Sequence, residues 1–379
     1  MEYIKIEYQD IHACAEVAFF ATATGVSEAH VMLHVTSLCE LFENQLARLN
    51  TAVKRIQAEE ALAGHAIVYK RYFLSDSANQ REIIEDEGTV AVSYIQQPPL
   101  DGSKVTLWLY MVKGMAINHD DGMTIAEHNG YKHLWRMSMV SNAADPYLQT
   151  KELLSNYEMS LAKHGLTLAD DCIRTWFFVR DVDSQYAGLV KARREFFTER
   201  GLTRDTHYIA STGIGGSAPE CNAAVQFEAY SINGLSSEQI QYLYAPTHMN
   251  STSEYGVTFE RGTAINYGDR THIFISGTAS INNMGEVVHK GDVKKQTRRM
   301  AENVGVLLKE ADSSFDDLMQ VIVYLRDMGD YHIVKDILSC LLPPVPIVFT
   351  LASVCRPTWL VEMECIAVKA NKKNNMRDY

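Results

Sequence analysis

Carboxyl and guanidinium side chains carry most of the chemistry legible in this chain. In Val361-Glu362-Met363-Glu364-Cys365-Ile366 polar and apolar residues alternate, the period of a β-strand, so Glu362 and Glu364 share one face. A carboxyl flanked by Val361 and Met363 on a strand with apolar neighbours is partly desolvated, which raises its pKa toward neutrality and lets it hold a proton to give. Glu362 is therefore the candidate general acid, with Glu364 competing for the role. Arg261 is the candidate carboxylate clamp, because a planar guanidinium donates two parallel hydrogen bonds. It stands among Tyr255, Thr258, Phe259 and Gly262, an aromatic and hydrogen-bonding set suited to a small-ligand pocket; the plainer reading is a solvated pair with Glu260. Backbone N–H groups around Ser276-Gly277-Thr278 could hold a carboxylate, since Gly277 lets the chain approach a ligand closely. Cys355 precedes Glu362 by seven residues, and Arg356 beside it either lowers the thiol pKa or caps the loop before Pro357.

The run Ala210-Ser211-Thr212-Gly213-Ile214-Gly215-Gly216 is glycine-rich but precedes a strand, so it lacks the setting of a Walker or Rossmann phosphate loop. Packed against a neighbouring unit, it would offer Thr212 or the Gly213 amide to a ligand. His207, just upstream, reads as an ordinary core or surface histidine. The 13 histidines show no H-E-x-x-H or comparable spacing, so neither a metal nor a cofactor is expected. Seven scattered cysteines without a C-x-x-C pair read as reduced thiols.

The elements that must position these residues recur along the chain. Gln149-Thr150 followed by Asn156, and Gln296-Thr297 followed by Asn303, begin two segments of helical apolar spacing. Each is followed by an acidic loop, a β-rich run (173–179 and 318–325), an Arg-Asp step, a second helix carrying Tyr186 or Tyr331 near its start, and a closing strand of alternating polarity (225–230 and 361–366). One face of each closing strand should pack on helices, leaving the other polar. A fainter copy lies upstream, where 42–53 has helical spacing, 66–74 reads as a strand, and Val105 to Val112 reads as a closing strand without carboxylates. The expectation is an α+β chain of three tandem units, 1–115, 116–235 and 236–370, with a polar tail, 371–379, that frays. The first unit reads as structural and the third as chemically equipped.

Residues 272–369 resemble the YjgF/RidA family. The motifs are His272-Ile273-Phe274-Ile275-Ser276-Gly277, Gly291-Asp292-Val293 before Gln296-Thr297, Glu302-Asn303, Tyr324-Leu325-Arg326-Asp327-Met328 and the closing strand from Val361 to Val368. The resemblance implies chorismate-mutase-like α+β units that trimerise with a ligand site at each interface, so three linked units imply an intramolecular pseudo-trimer. The deaminases of that family carry an arginine after a Pro-x step before the closing strand, where this chain has Pro346; proline has neither charge nor N–H to hold a carboxylate. Phe259-Glu260-Arg261, Ser276-Gly277-Thr278-Ala279-Ser280-Ile281 and Glu362 further resemble the FkbO-type chorismatases, in whose hydroxybenzoate-forming branch a cysteine precedes the glutamate as Cys355 does here. After Ile281, Asn282-Asn283-Met284-Gly285 replaces the Val-Gly-His more usual there. The resemblance implies an enzyme that cleaves the enolpyruvyl ether of chorismate to pyruvate and a hydroxybenzoate or dihydroxycyclohexadiene carboxylate. The alternatives are a RidA-like enamine or imine deaminase and a small-metabolite binder.

Composition narrows the partners. With 35 basic against 47 acidic residues, a net charge of −12, and no basic run beyond pairs, nucleic acid is a poor partner. No stretch reaches the roughly 18 consecutive apolar residues of a membrane span, and the opening MEYIKIEYQD lacks the order of a signal peptide. A cytoplasmic protein acting on a small carboxylate-bearing metabolite, as a monomer or an oligomer of pseudo-trimers, is expected.

Overall fold

The structure is a computed structural model that describes residues 1–23, 25–85 and 88–379. Its first unit comprises β1 (Glu2–Tyr8), β2 (Ala13–Phe20), β3 (Ser27–Val35), α1 (Phe42–Ala58), β4 (Ala66–Leu74), α2 (Ser77–Gln80), β5 (Ala91–Gln96) and β6 (Val105–Lys113). The second comprises β7 (Ala116–Asp120), β8 (Met123–His128), β9 (Tyr131–Val140), α3 (Pro146–Lys163), α4 (Leu168–Asp171), β10 (Cys172–Val179), α5 (Val182–Glu199), β11 (Ala210–Gly215) and β12 (Val225–Asn233). The third comprises β13 (Ile240–Leu243), β14 (Gly262–Asn266), β15 (Arg270–Ala279), α6 (Val293–Glu310), β16 (Leu318–Leu325), α7 (Tyr331–Leu341), β17 (Ile347–Leu351) and β18 (Val361–Ala370).

Each unit folds into a six-stranded sheet of one strand order: β1-β2-β3-β6-β4-β5, β7-β8-β9-β12-β10-β11 and β13-β14-β15-β18-β16-β17. Neighbours run antiparallel except β4–β5, β10–β11 and β16–β17. A parallel pair needs a crossover, normally a helix; α5 and α7 supply it, whereas the first unit has only the single turn of α2 and a 3-10 turn at Arg81–Ile83. The chain is thus an α+β protein of three RidA-like units in tandem.

The repeated Gln-Thr pair has a mechanical role. At the start of α6, the Gln296 amide donates to the carbonyls of His289 and Thr358 while its oxygen accepts the Leu360 N–H. Gln149 does the same for the Ala143 and Asn222 carbonyls and the Ala224 and Val225 amides. Each glutamine ties a helix start to the loop entering the closing strand. Gln45 on α1 makes the equivalent bond to Lys104 N–H at 2.8 Å, a third copy of the device hidden from sequence inspection.

One face of each sheet lies under its own helices, with Leu46, Leu49 and Ile56 of α1 over Val17, Leu33 and Leu107, and Leu153, Leu161 and Phe196 over Phe177 and Phe227. The opposite faces meet in a shared interior where Trp108, Trp135, Trp176, Tyr230 and Phe274 pack. The polar face expected on the closing strands is therefore not solvated: Gln226, Glu228, Glu362 and Glu364 are all buried against neighbouring units. Buried charge requires a partner, and the partners come from the preceding unit. Arg71 of β4 donates to Glu228 of β12 at 2.6 Å, and Arg174 of β10 donates to Glu364 of β18 at 2.8 Å. A third ion pair, Arg270 to Glu28 at 2.6 Å, joins the third unit to the first.

The tail does not fray. Lys373 N–H bonds the Gly268 carbonyl, Arg377 reaches the Gly234 carbonyl at 2.6 Å, and Tyr379 is fully buried with its hydroxyl 3.0 Å from that of Tyr110. Its ring lies 4.2 Å from that of His272, below the Arg270 guanidinium. The polar composition that suggested solvent exposure is offset by one aromatic side chain filling an end of the shared interior.

Candidate active site

A cavity of about 480 Å³ opens between the second and third units. Helix α5 and strand β11 form one wall, and the segment entering β14, strand β15 and the approach to β18 form the other. The run 210–215, which the sequence presented as a loop ahead of a strand, is itself strand β11 at this boundary.

Glu362 lies on the cavity wall, 5% exposed. Its carboxyl rests against the Cα of Gly277: a β-carbon there would sit 2.1 Å from Oε1. A side chain there would displace the Glu362 carboxyl, and Gly277 sits where the β15–β18 register slips between Ile275 and Thr278, a bulge that re-aims the chain. Burial, and then repulsion from Glu364, push the Glu362 carboxyl up to about 8, with Arg261 and Arg174 pulling the other way. At neutral pH it is a protonated acid.

The rival Glu364 is committed elsewhere. It accepts hydrogen bonds from Arg174 Nη2, Trp176 Nε1 (2.9 Å) and Thr212 Oγ1, and it is not among the residues lining the cavity. Two carboxyls on one strand face thus have opposite surroundings, one ion-paired and the other neutral.

Arg261 and Phe259 line the cavity. Arg261 is 4% exposed, donates to the Asn250 carbonyl at 3.2 Å and lies 5.5 Å from the centroid of the Phe259 ring. Glu260, the expected surface partner of Arg261, accepts instead from the Tyr208 amide at 2.7 Å. Arg193 of α5, which is fully buried, lies 5.9 Å from the centroid of the same Phe259 ring. Arg193 donates to Thr258 Oγ1 and Ser211 Oγ. Sequence inspection missed it, although its place with Leu189, Phe196 and Phe197 on the apolar stripe of α5 marks an arginine that must turn inward.

Other expected ligand contacts are used within the fold. Thr212 Oγ1 donates to Glu364 and accepts the Gly277 N–H at 2.9 Å, so neither Thr212 nor the Gly277 amide is open to an anion. Ser276 Oγ bridges the Glu260 carbonyl and the Ser211 amide, tying β11 to β15, and Thr278 Oγ1 bonds the Ser276 carbonyl. Asn303 holds the end of β15 through the carbonyls of Ala279 and Ile281, both cavity-lining residues. Gly213 lines the cavity but seats the Tyr186 ring, 2.9 Å from where a β-carbon would lie. His207 stacks on Tyr242 outside the lining. The side chain of Tyr255 lies outside the described residues.

Cys355 lines the cavity. Burial, and then the charge of Glu362, push its thiol up to about 12, outweighing Arg356 and a hydrogen bond with Tyr186. Of the two roles open to Arg356, thiol activation is outweighed by burial, leaving a neutral thiol. Pro346 precedes β17, on the other side of the third unit; the β-register places Ala210 at the corresponding position of the second unit, so this cavity also lacks the deaminase arginine. Among the described residues no three His, Cys, Asp or Glu side chains converge to hold a metal ion, and no helix is long and apolar enough to cross a membrane.

The raised pKa of Glu362 has a stability consequence. Between the ordinary carboxyl value of 4.5 and about 8, the folded state holds a proton that the unfolded chain has released, so stability falls as pH rises through that window. Glu362→Gln removes the loss. The variant should melt above the wild type, by a margin that is larger at pH 8 than at pH 5, as followed by differential scanning calorimetry.

The tandem α+β units and the cleft between them define a class of protein, and comparison with known proteins agrees. Residues 263–369 match the family described as Endoribonuclease L-PSP. A RutC family protein of Pyrococcus abyssi is 36% identical over 101 residues, covering 26% of this chain and 78% of that protein. The chain belongs to this YjgF/RidA (RutC) family. A 3-hydroxybenzoate synthase of Streptomyces hygroscopicus is 26% identical over 220 residues, 52% of this chain and 63% of that enzyme. The crystal structure of a chorismatase superposes with a TM-score of 0.64 at 18% identity, over 79% of this chain and 92% of that one. That likeness extends the shared fold from one unit to most of the tandem, so the chain is a member of the family whose tandem units share a chorismatase-like fold.

Proposed function

We propose that the chain is an enzyme of the chorismatase type, releasing pyruvate from chorismate. The observation that carries this reading is a buried Glu362, its carboxyl pushed up to about 8, sharing one cavity with two buried guanidiniums, Arg193 and Arg261. The likeness to a 3-hydroxybenzoate synthase supports a hydroxybenzoate product. Chorismate has two carboxylates, which the two arginines beside Phe259 clamp. Glu362 delivers its proton to the methylene carbon of the enolpyruvyl group, leaving a carboxylate and an oxocarbenium ion. Water adds to that cation, and the resulting hemiketal collapses to pyruvate and a dihydroxycyclohexadiene carboxylate. In the hydroxybenzoate route the ring C–O bond breaks instead, pyruvate leaves with the ether oxygen, and the ring cation aromatises by returning a ring proton to the Glu362 carboxylate, with no net consumption of water. Cys355, seven residues before Glu362, stands where the hydroxybenzoate-forming chorismatases resembled by this sequence carry a cysteine, which favours this second route.

Pure protein mixed with chorismate should generate pyruvate, read by coupling to lactate dehydrogenase. Folded protein that yields none overturns the proposal, and ammonia released from an amino-acid-derived imine would favour deamination instead. Replacing Arg193 with Met removes one charged clamp and should lower kcat/KM roughly ten- to hundredfold, chiefly through KM; steady-state kinetics check this.

A further inference from the structure

The threefold repeat creates a second cleft of the same construction, between the third unit and the first. Helix α7 and strand β17 take the places of α5 and β11, and β2 and β3 take those of β14 and β15. The cavity here measures about 280 Å³ and continues into a groove of about 400 Å³ floored by Leu338, Pro344, Val345 and Phe349. None of the residues proposed for chorismate cleavage lies in it.

Its charges are arranged differently. His34 sits between two carboxylates, with Nδ1 3.3 Å from Asp101 and Nε2 3.6 Å from Glu16. Burial opposes protonation of His34, but the hydrogen bonds to Asp101 and Glu16 outweigh it and hold the ring up at about 9. Lys5 also lines the cleft, paired with Glu7 at 2.9 Å, so that Glu7, Glu16 and Asp101 set against Lys5 and His34 leave an excess of one negative charge. Glu16 is fixed by the Ile347 N–H at 3.1 Å, and Asp101 by Ser103, so that charge is held in place. Across the cleft Lys335 rests 3.3 Å from the Tyr331 hydroxyl, and among the described residues no carboxylate lies within ion-pair distance of it. Between the two poles stand Phe349 and Tyr331, edge to face at 5.5 Å.

A fixed negative pole, a lysine able to meet an anion and an aromatic wall between them match a small zwitterion with an apolar body. We propose that this second cleft binds a free α-amino acid with an aromatic or branched side chain: its ammonium toward Glu16 and Asp101, its carboxylate on Lys335, and its side chain against Phe349 and Leu338.

The test is calorimetric titration of the full chain with L-phenylalanine, with 3-phenylpropionate lacking the ammonium and phenethylamine lacking the carboxylate. L-Phenylalanine should bind saturably and each analogue at least tenfold more weakly. Lys335→Ala, on an exposed position of α7, should weaken L-phenylalanine about tenfold, whereas Glu362→Gln should leave its affinity unchanged. Absence of saturable binding by both calorimetry and NMR would overturn the proposal. Equal binding of 3-phenylpropionate, or binding lost in Glu362→Gln yet kept in Lys335→Ala, would overturn it too. Since neither readout involves chorismate, failure here leaves the active-site reading standing, and the converse holds.

Discussion

Glu362→Gln is expected to lower kcat for pyruvate release by about 10²- to 10⁴-fold, the usual contribution of a positioned general acid. The amide keeps the shape that Gly277 accommodates but has no acidic proton to deliver to carbon, so kcat should fall while KM moves little. Glu364→Gln gives the informative contrast. It removes the charge that, after burial, does most to raise Glu362. Turnover should therefore persist at acid pH, with the alkaline limb of the rate profile displaced downward from about 8. Lost turnover at every pH in Glu364→Gln, alongside an active Glu362→Gln, would reverse the two roles.

The second large effect is on stability. Arg71→Ala should destabilise the fold by about 3 to 5 kcal/mol, the cost of leaving a buried charge without its partner. Arg71 and Glu228 have side chains wholly shielded from solvent and bond at 2.6 Å across the boundary of the first two units. The guanidinium is also packed among the rings of Trp108, Trp176 and Phe178 at 4.9 to 5.3 Å. Without it, the Gln226 amide at 3.0 Å is the hydrogen-bond donor left to the Glu228 carboxylate. Denaturant melts followed by tryptophan fluorescence measure the loss. Arg71→Met combined with Glu228→Gln should recover much of it, because a neutral pair carries no buried charge. A single variant as stable as the wild type would contradict the role given to this pair.

Local pattern revealed much of this and left the contacts between units hidden. The Gln149 and Gln296 repeats were visible because each glutamine acts within its own unit, on carbonyls and amides set at fixed offsets by the same loop design. Glu362 was visible because strand alternation gives it a face, and its neighbours Val361 and Met363 signal desolvation. What alternation could not separate was Glu362 from Glu364, since their difference comes from Arg174, Trp176 and Thr212 of the preceding unit. Thr212 and Ser276 were misassigned for the same reason: hydroxyls expected to face a ligand are used to join β11 to the third unit. Arg193 was obscured by Lys191 and Arg194, which make that stretch of α5 look like a solvated basic face. Tyr379 was missed because an aromatic in a polar tail reveals nothing of the hole it fills.

The central claim is that Glu362 is a neutral acid in the folded protein, and infrared difference spectroscopy of wild type against Glu362→Gln tests it directly. The account predicts the carbonyl stretch of one protonated carboxyl in the wild type at neutral pH, giving way to carboxylate bands as the pH is raised through about 8. Carboxylate bands at neutral pH, with no protonated carboxyl assignable to Glu362, would contradict it.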